Sequence, residues 1–200
     1  MVTVYYTDVT ESDIDFYKYI SNYKKAVLDK YKQEKQKKLS AYCEMLLYNA
    51  LGDVKICYHK QHKPFLTDNK YHFNFSHSGD ISVCAVSDNE VGVDVEKIRV
   101  VNFLISERFF TAQENNAIMS SKDIKKEFFN YWTLKESYLK YLGTGLNKPL
   151  NSFEVLINKK ITIYDEYVLK NVNFFQEKLS DYVISVCSNS EKCDFKYVKF

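Results

Sequence analysis

Two hundred residues carry 28 Lys and Arg against 26 Asp and Glu, a formal net charge of +2. That balance excludes a tail-like nucleic-acid binder, which needs a large basic excess to neutralise phosphates. A hydrophobic content of 46% with 16% aromatics excludes a disordered chain, and a chain of this length buries roughly 70% of its unfolded surface, enough for one domain or two small ones.

In chain order, alternating apolar residues predict a strand at Val2–Tyr6. Ser12 is placed to cap a helix through Ile14, Phe16, Tyr17, Ile20 and Tyr23. A second helix is expected over Glu34–Leu51, then strands at Val54–Tyr58, Tyr71–Phe75, Ile81–Ser87 and Val91–Ile98. The second half repeats the plan. Helices are expected over Asn102–Phe110, Ala112–Ser120 and Asp123–Leu142, the last ending at a left-handed Gly143. Strands follow at Phe153–Ile157, Lys160–Tyr164, Val168–Phe174, Tyr182–Cys187 and Phe195–Val198. Helices followed by antiparallel strands, twice over, predict an α+β fold of two similar halves, 1–90 and 91–200. No Pro/Gly/Ser-rich linker separates them, so they are expected to pack tightly.

Three further features narrow the class. No segment approaches the roughly 18 apolar residues of a membrane span, and MVTVYYTDVTESD lacks the pattern of a secretory signal. Five cysteines without a C-x-x-C disfavour zinc and a disulfide framework and point to a reduced, cytoplasmic protein. Arg99 and Arg108 are the only arginines, so a phosphate site must rely on lysine point charges, backbone N–H groups or a metal ion.

In VGVDVEKI, Gly92, Asp94 and Glu96 share one strand face. Asp94 and Glu96 are then about 7 Å apart at Cα, within reach of one cation bound at about 2.1 Å per ligand, with Gly92 leaving room beside them. All-oxygen ligands suit Mg²⁺ or Mn²⁺ and not zinc; solvated carboxylates on an edge strand would look the same. Glu114 is a candidate third ligand, but Thr111-x-x-Glu114 also reads as a capping box. On the helix around the single Trp, a rotation of about 100° per residue puts Trp132, Glu136 and Lys140 on one stripe. Glu136 thus sits among large apolar side chains, where burial raises a carboxylate toward the range of a general base; the plain alternative is an i,i+4 ion pair with Lys140. His77, in the turn expected at Ser76–Gly79, is a strand-end histidine that could donate to phosphate beside turn N–H groups. His59-x-x-His62 has metal-pair spacing without convincing partners. From Lys24 to Lys38 the charges are seven lysines against Asp29 and Glu34, either a solvated face or a surface for a phosphate-bearing ligand or an acidic protein.

Taken together, FNFSHS, VGVDVEK, RFFTAQE and WTLKESYLKYLGTGL resemble the Sfp-type 4'-phosphopantetheinyl transferases, which activate carrier proteins of peptide, polyketide and fatty-acid synthases. The resemblance covers about residues 63–150, with shorter similarity back to Lys24. It implies a pseudo-dimer of two similar α/β subdomains, a monomer with internal pseudo-twofold symmetry, and coenzyme A between the halves as co-substrate. It implies Mg²⁺ on Asp94, Glu96 and Glu114, so that Glu114 becomes a ligand and not only a cap. It implies Glu136 as general base, Lys135 and Lys140 as active-site lysines, Ser76 and His77 at the coenzyme phosphates, Lys63 near the adenosine end and Lys24 at the 3'-phosphate. The expected partner is an acyl or peptidyl carrier protein, with no nucleic acid and no membrane. The nucleophile would belong to that partner, which removes any need for an internal Ser/His/Asp arrangement. Two other readings fit part of the pattern: another Mg²⁺-dependent phosphotransfer enzyme, and a non-catalytic carrier-protein-binding module.

Overall fold

The computed structural model describes residues 1–58, 63–68, 70–102, 104–166 and 168–200. Strand β1 (Val2–Asp8) buries Val2 and Val4. It pairs antiparallel with β5 (Ile81–Ser87), which pairs antiparallel with β4 (His72–Ser78). Helix α2 (Glu34–Leu51) covers the outer face of this sheet, setting Leu46 and Leu47 on Phe73, Cys84 and Val86. Strand β5 is central and covered on both faces, so all seven of its residues are buried.

The second half has a comparable plan. Strands β6 (Val91–Lys97), β10 (Asn173–Leu179) and β11 (Tyr182–Ser188) form a sheet in the order β10-β11-β6, and helix α5 (Ile124–Leu142) packs on it. Short helices α3 (Leu104–Phe109) and α4 (Ala112–Met119) precede α5. Strands β7 (Phe153–Ile157), β8 (Ile161–Asp165) and β9 (Val168–Leu169) follow as a small antiparallel sheet. An aromatic cluster of Phe109, Phe110, Phe128 and Trp132 fills this half, with Phe128 and Trp132 stacked at 5.8 Å.

The halves meet along β4 and β6, which run parallel without a backbone ladder. Side chains replace it at a two-residue period: Val93 N–H donates to Asn74 Oδ1 at 3.0 Å, Val95 N–H to Ser76 Oγ at 3.2 Å and Lys97 N–H to Ser78 Oγ at 3.2 Å. On the inner face, Val91, Val93 and Val95 join Val2, Val4, Val83 and Ala85 in one apolar cluster. A seam with no ladder would bury unpaired N–H groups; the polar alternation of Asn74, Ser76 and Ser78 satisfies them.

The ends of the two halves interleave. Strand β12 (Cys193–Tyr197) lies parallel to β1, and Phe200 meets Tyr42 of α2 at 5.5 Å. The last residues of the chain therefore complete the first sheet. The helix expected from Ser12 is absent: Ser12 Oγ accepts from Ile14 N–H in a local turn, residues 16–18 form one 3-10 turn, and the α-helix, α1 (Asn22–Leu28), starts at the Ser21 cap. Ile14, just before the 3-10 turn, and Phe16 and Tyr17 within it pack on the cluster of Leu39 and Tyr42. The expected strand at Val54–Tyr58 shrinks to β2 (Ile56–Cys57), paired with β3 (Phe65–Leu66). The run at Val168–Phe174 divides between β9 and β10.

Candidate active site

The seam strand β6 carries the site. Its odd residues face the apolar cluster, so Gly92, Asp94 and Glu96 face the other way. Gly92 does not leave room for a ligand, as the sequence suggested. A Cβ there would collide with the Ser137 carbonyl oxygen and the Tyr141 amide nitrogen, so the space is taken by the backbone of α5. That close approach sets Lys140 beside Asp94: Lys140 Nζ lies 2.7 Å from Asp94 Oδ1 and 3.0 Å from Ser76 Oγ. Ser76 Oγ in turn donates to Asp94 Oδ1 at 2.9 Å. One residue pair further, Ser78 Oγ donates to Glu96 Oε2 at 2.6 Å and Arg99 pairs with the same oxygen at 2.7 Å.

Ser76, Asp94, Glu96 and Lys140 line a pocket of about 340 Å³ with Lys24, Cys43 and His77. Lys24 comes from α1, is 8% exposed, and makes no ion pair among the described residues. His77 lies in β4 opposite Ser82 and not in a turn, because the strand runs on to Ser78 and the reversal falls at Gly79, with φ +62°. Burial, with the charges of Lys140 and Lys24 behind it, pulls the His77 imidazole below its ordinary pKa. Burial raises the Asp94 carboxyl, and Lys140 opposes the shift. Half-buried Glu136, one turn before Lys140, is raised first by burial and then by the charges of Asp94 and Glu96. Glu136 does not itself line the pocket; it joins Asp94 and Glu96 only through their charges.

Other expected site residues lie elsewhere. Glu114 is not beside Asp94. It closes the capping box of α4, its Oε2 accepting from Thr111 N–H at 2.8 Å, while its Oε1 accepts from Val155 N–H at 2.7 Å and from Lys135 at 2.6 Å. With both oxygens engaged and 1% of the residue exposed, Glu114 anchors the start of α4 to β7 and does not line the pocket of Asp94 and Glu96. Lys135 likewise does not line the pocket. It is fully buried, bonded to Glu114 and to the Phe153 carbonyl at 2.7 Å, because one residue on a helix turns the side chain by about 100° from Glu136. Lys63 pairs with Glu90 at 2.8 Å and donates to the Val91 carbonyl, in a separate cleft with Pro64 and His72. Of the basic run, Lys24 alone lines the pocket; Lys38 donates to the Ser12 carbonyl. His59 and His62 lie outside the described residues. Asn74 and Ser78, not foreseen, show in the sequence only as the polar alternation of FNFSHS.

The donor set can be tested against a divalent cation. Asp94 Oδ2 is buried with no hydrogen-bond partner, and Glu96 lies two residues on along the same face. Oxygen donors of this kind suit a hard cation. Among the described residues no three His, Cys, Asp or Glu side chains already converge on a metal position, so Asp94 and Glu96 are the fitting pair, with Glu136 close enough to feel both charges.

Residues 90–187, which carry Asp94, Glu96, Glu136 and Lys140, match the 4'-phosphopantetheinyl transferase superfamily. Among curated relatives, the chain is 38% identical over 130 residues to the 4'-phosphopantetheinyl transferase gsp of Aneurinibacillus migulanus, covering 63% of this chain and 54% of that one. It is 41% identical over 91 residues to psf-1 of Bacillus pumilus (44% and 39% covered) and 34% identical over 111 residues to Sfp of Bacillus subtilis strain 168 (54% and 50% covered). The chain spans about half the length of the curated relatives it matches. Half of it also aligns with 93% of a holo-(acyl-carrier-protein) synthase from Bacillus anthracis solved in complex with CoA (3',5'-ADP), at a TM-score of 0.43 and 17% identity. No helix of the described residues is long and apolar enough to cross a membrane.

Proposed function

We propose that the protein transfers the 4'-phosphopantetheine group of coenzyme A to a serine of an apo acyl or peptidyl carrier protein, releasing 3',5'-ADP. The observation that carries this reading is one pocket joining two lysines, Lys24 and Lys140, with His77 beside them, to a buried carboxylate, Asp94, with an unpartnered oxygen. Coenzyme A presents matching chemistry, a phosphate monoester and a diphosphate on one molecule. The names of the relatives support the same activity. The coenzyme would lie at the seam between residues 1–90 and 91–200, in a monomer with internal pseudo-twofold symmetry. The free thiols of Cys43, Cys84 and Cys187 suit a reduced, cytoplasmic setting.

Asp94 and Glu96 would hold Mg²⁺ or Mn²⁺, which when bound disperses the charge of the diphosphate. The chain's own residues do the rest. Lys24 binds the 3'-phosphate end, and His77 donates to a phosphate oxygen. Glu136 takes the proton from the carrier serine hydroxyl, burial making its carboxylate a stronger base than an exposed one. The serine oxygen bonds to the β-phosphorus as the bond from that phosphorus to the oxygen of the departing 3',5'-ADP breaks. Lys140 supplies positive charge where negative charge builds.

The test is direct. The protein is incubated with coenzyme A, Mg²⁺ and apo forms of acyl and peptidyl carriers, and the carriers are weighed by mass spectrometry. Phosphopantetheine addition with 3',5'-ADP release is expected; no adduct on any carrier overturns the reading.

A further inference from the structure

Glu44, in the middle of α2, is 0% exposed and has no ion pair among the described residues. A buried carboxylate without a cation is costly unless its lone pairs are filled. Here Oε1 accepts from Ser21 N–H at 2.6 Å and from Tyr48 Oη–H at 3.0 Å, and Oε2 accepts from Tyr58 Oη–H at 2.9 Å. Burial and then the Glu44 charge push both phenols well above their ordinary pKa, which keeps them donors.

Two of these bonds lead to α1. Ser21 is its N-cap, with Oγ accepting from Lys24 N–H at 3.1 Å and its carbonyl from Lys25 N–H at 3.0 Å. Tyr58 stacks on Tyr23 at 4.2 Å, next to Lys24 in the chain. Helix α1 has only seven residues, and Leu28 is its one fully buried side chain. So short a helix does not hold itself in place. Its Lys24 is nonetheless 8% exposed in the pocket, with Nζ 5.8 Å from the Phe75 ring centroid and no carboxylate paired to it among the described residues.

We infer that Glu44 is a positioning residue for the pocket: it anchors the first turn of α1 so that Lys24 meets the ligand phosphate, while its own carboxylate touches no ligand. This rests on the coenzyme A reading above. Glu44→Gln keeps the side-chain size and removes the charge. It is expected to raise KM and Kd for coenzyme A about tenfold with kcat within about twofold, a split that simple loss of folded protein does not give. Lys24→Ala should do the same, and the double variant should bind no worse than the weaker single variant, because one residue acts through the other. Losses that multiply to about a hundredfold in the double variant, normal binding by Glu44→Gln, or a fall in kcat at unchanged KM would overturn the inference.

If the wild-type protein binds no coenzyme A, the functional reading fails and the anchoring is still read in the ligand-free protein. Amide exchange over residues 22–28 should then speed about tenfold in Glu44→Gln while α5 is unchanged; unchanged exchange in α1 overturns the inference. Should Glu44→Gln fail to fold, Tyr58→Phe, which removes one hydroxyl and keeps the ring on Tyr23, should raise KM about threefold or speed α1 exchange by a similar factor, and no change in either overturns it.

Discussion

Helix α5 carries two lysines that each meet a carboxylate from another element. Lys135 and Glu114 lie 2.6 Å apart with side-chain exposures of 0% and 1%. Lys140 and Asp94 lie 2.7 Å apart with exposures of 28% and 8%. In the first pair the remaining acceptors of Glu114 are filled by Val155 and Thr111 N–H groups. In the second, Asp94 Oδ2 has no partner, and the lysine faces a pocket. Nearly equal distances therefore conceal different surroundings. A sealed pair with both carboxylate oxygens engaged fixes the fold, whereas a half-open pair with an unfilled oxygen can exchange partners with a ligand.

The largest effect expected from this contrast is on turnover at the open pair. Glu136→Gln, beside Asp94 and Lys140, should lower kcat by about 10²–10⁴-fold while coenzyme A binding and thermal stability stay near wild type. Near-normal turnover removes Glu136 as the base. The sealed pair should answer in the opposite way. Lys135→Met leaves the Glu114 carboxylate buried without its cation and should cost about 3–5 kcal/mol in denaturant unfolding, with kcat per folded molecule kept. A fully folded Lys135→Met protein with low kcat would return Lys135 to the catalytic machinery and erase the distinction.

Gly92 tests how the open pair is assembled. Gly92→Ala sets a methyl group against the α5 backbone at Ser137 and Tyr141. Overpacking of this kind costs about 1–3 kcal/mol, and the helix segment that must move carries Lys140. Stability and turnover should fall together, unlike in the two variants above; loss of stability with unchanged kcat would show that the Lys140 geometry tolerates the shift.

The contrast was only partly legible in the sequence. The period of α2 and the alternation of β5 gave both elements their observed bounds, Glu34–Leu51 and Ile81–Ser87, because each is strongly patterned and covered by the core. Strand and helix periods made two pairs readable, Asp94 with Glu96 and Glu136 with Lys140; only the resemblance joined the pairs into one site. Glu114 was assigned to the cation on resemblance, although its capping box was visible locally. Lys135 was grouped with Glu136 although adjacent helix residues point about 100° apart. The seam between β4 and β6, the return of β12 to β1 and the anchoring by Glu44 depend on contacts between distant segments, which no local pattern records.

The smallest effect belongs to a third lysine–carboxylate group, at the surface, and it tests whether exposure is the governing variable. Asp80 lies 2.5 Å from Lys35 and 3.1 Å from Lys97. The bonds to these two lysines hold its carboxyl at about 2, below the ordinary 3.8. A depressed folded-state pKa stabilises the protein above the unfolded value and loses that contribution as the pH falls through the folded one. The loss should therefore fall between pH 3.8 and about 2. Because water and salt screen exposed pairs, it should amount to less than about 1 kcal/mol. Asp80→Asn should flatten thermal stability over that window and leave it little changed at neutral pH. A loss as large as that of Lys135→Met would mean that the number of lysines around a carboxylate, and not its burial, decides what such a pair contributes.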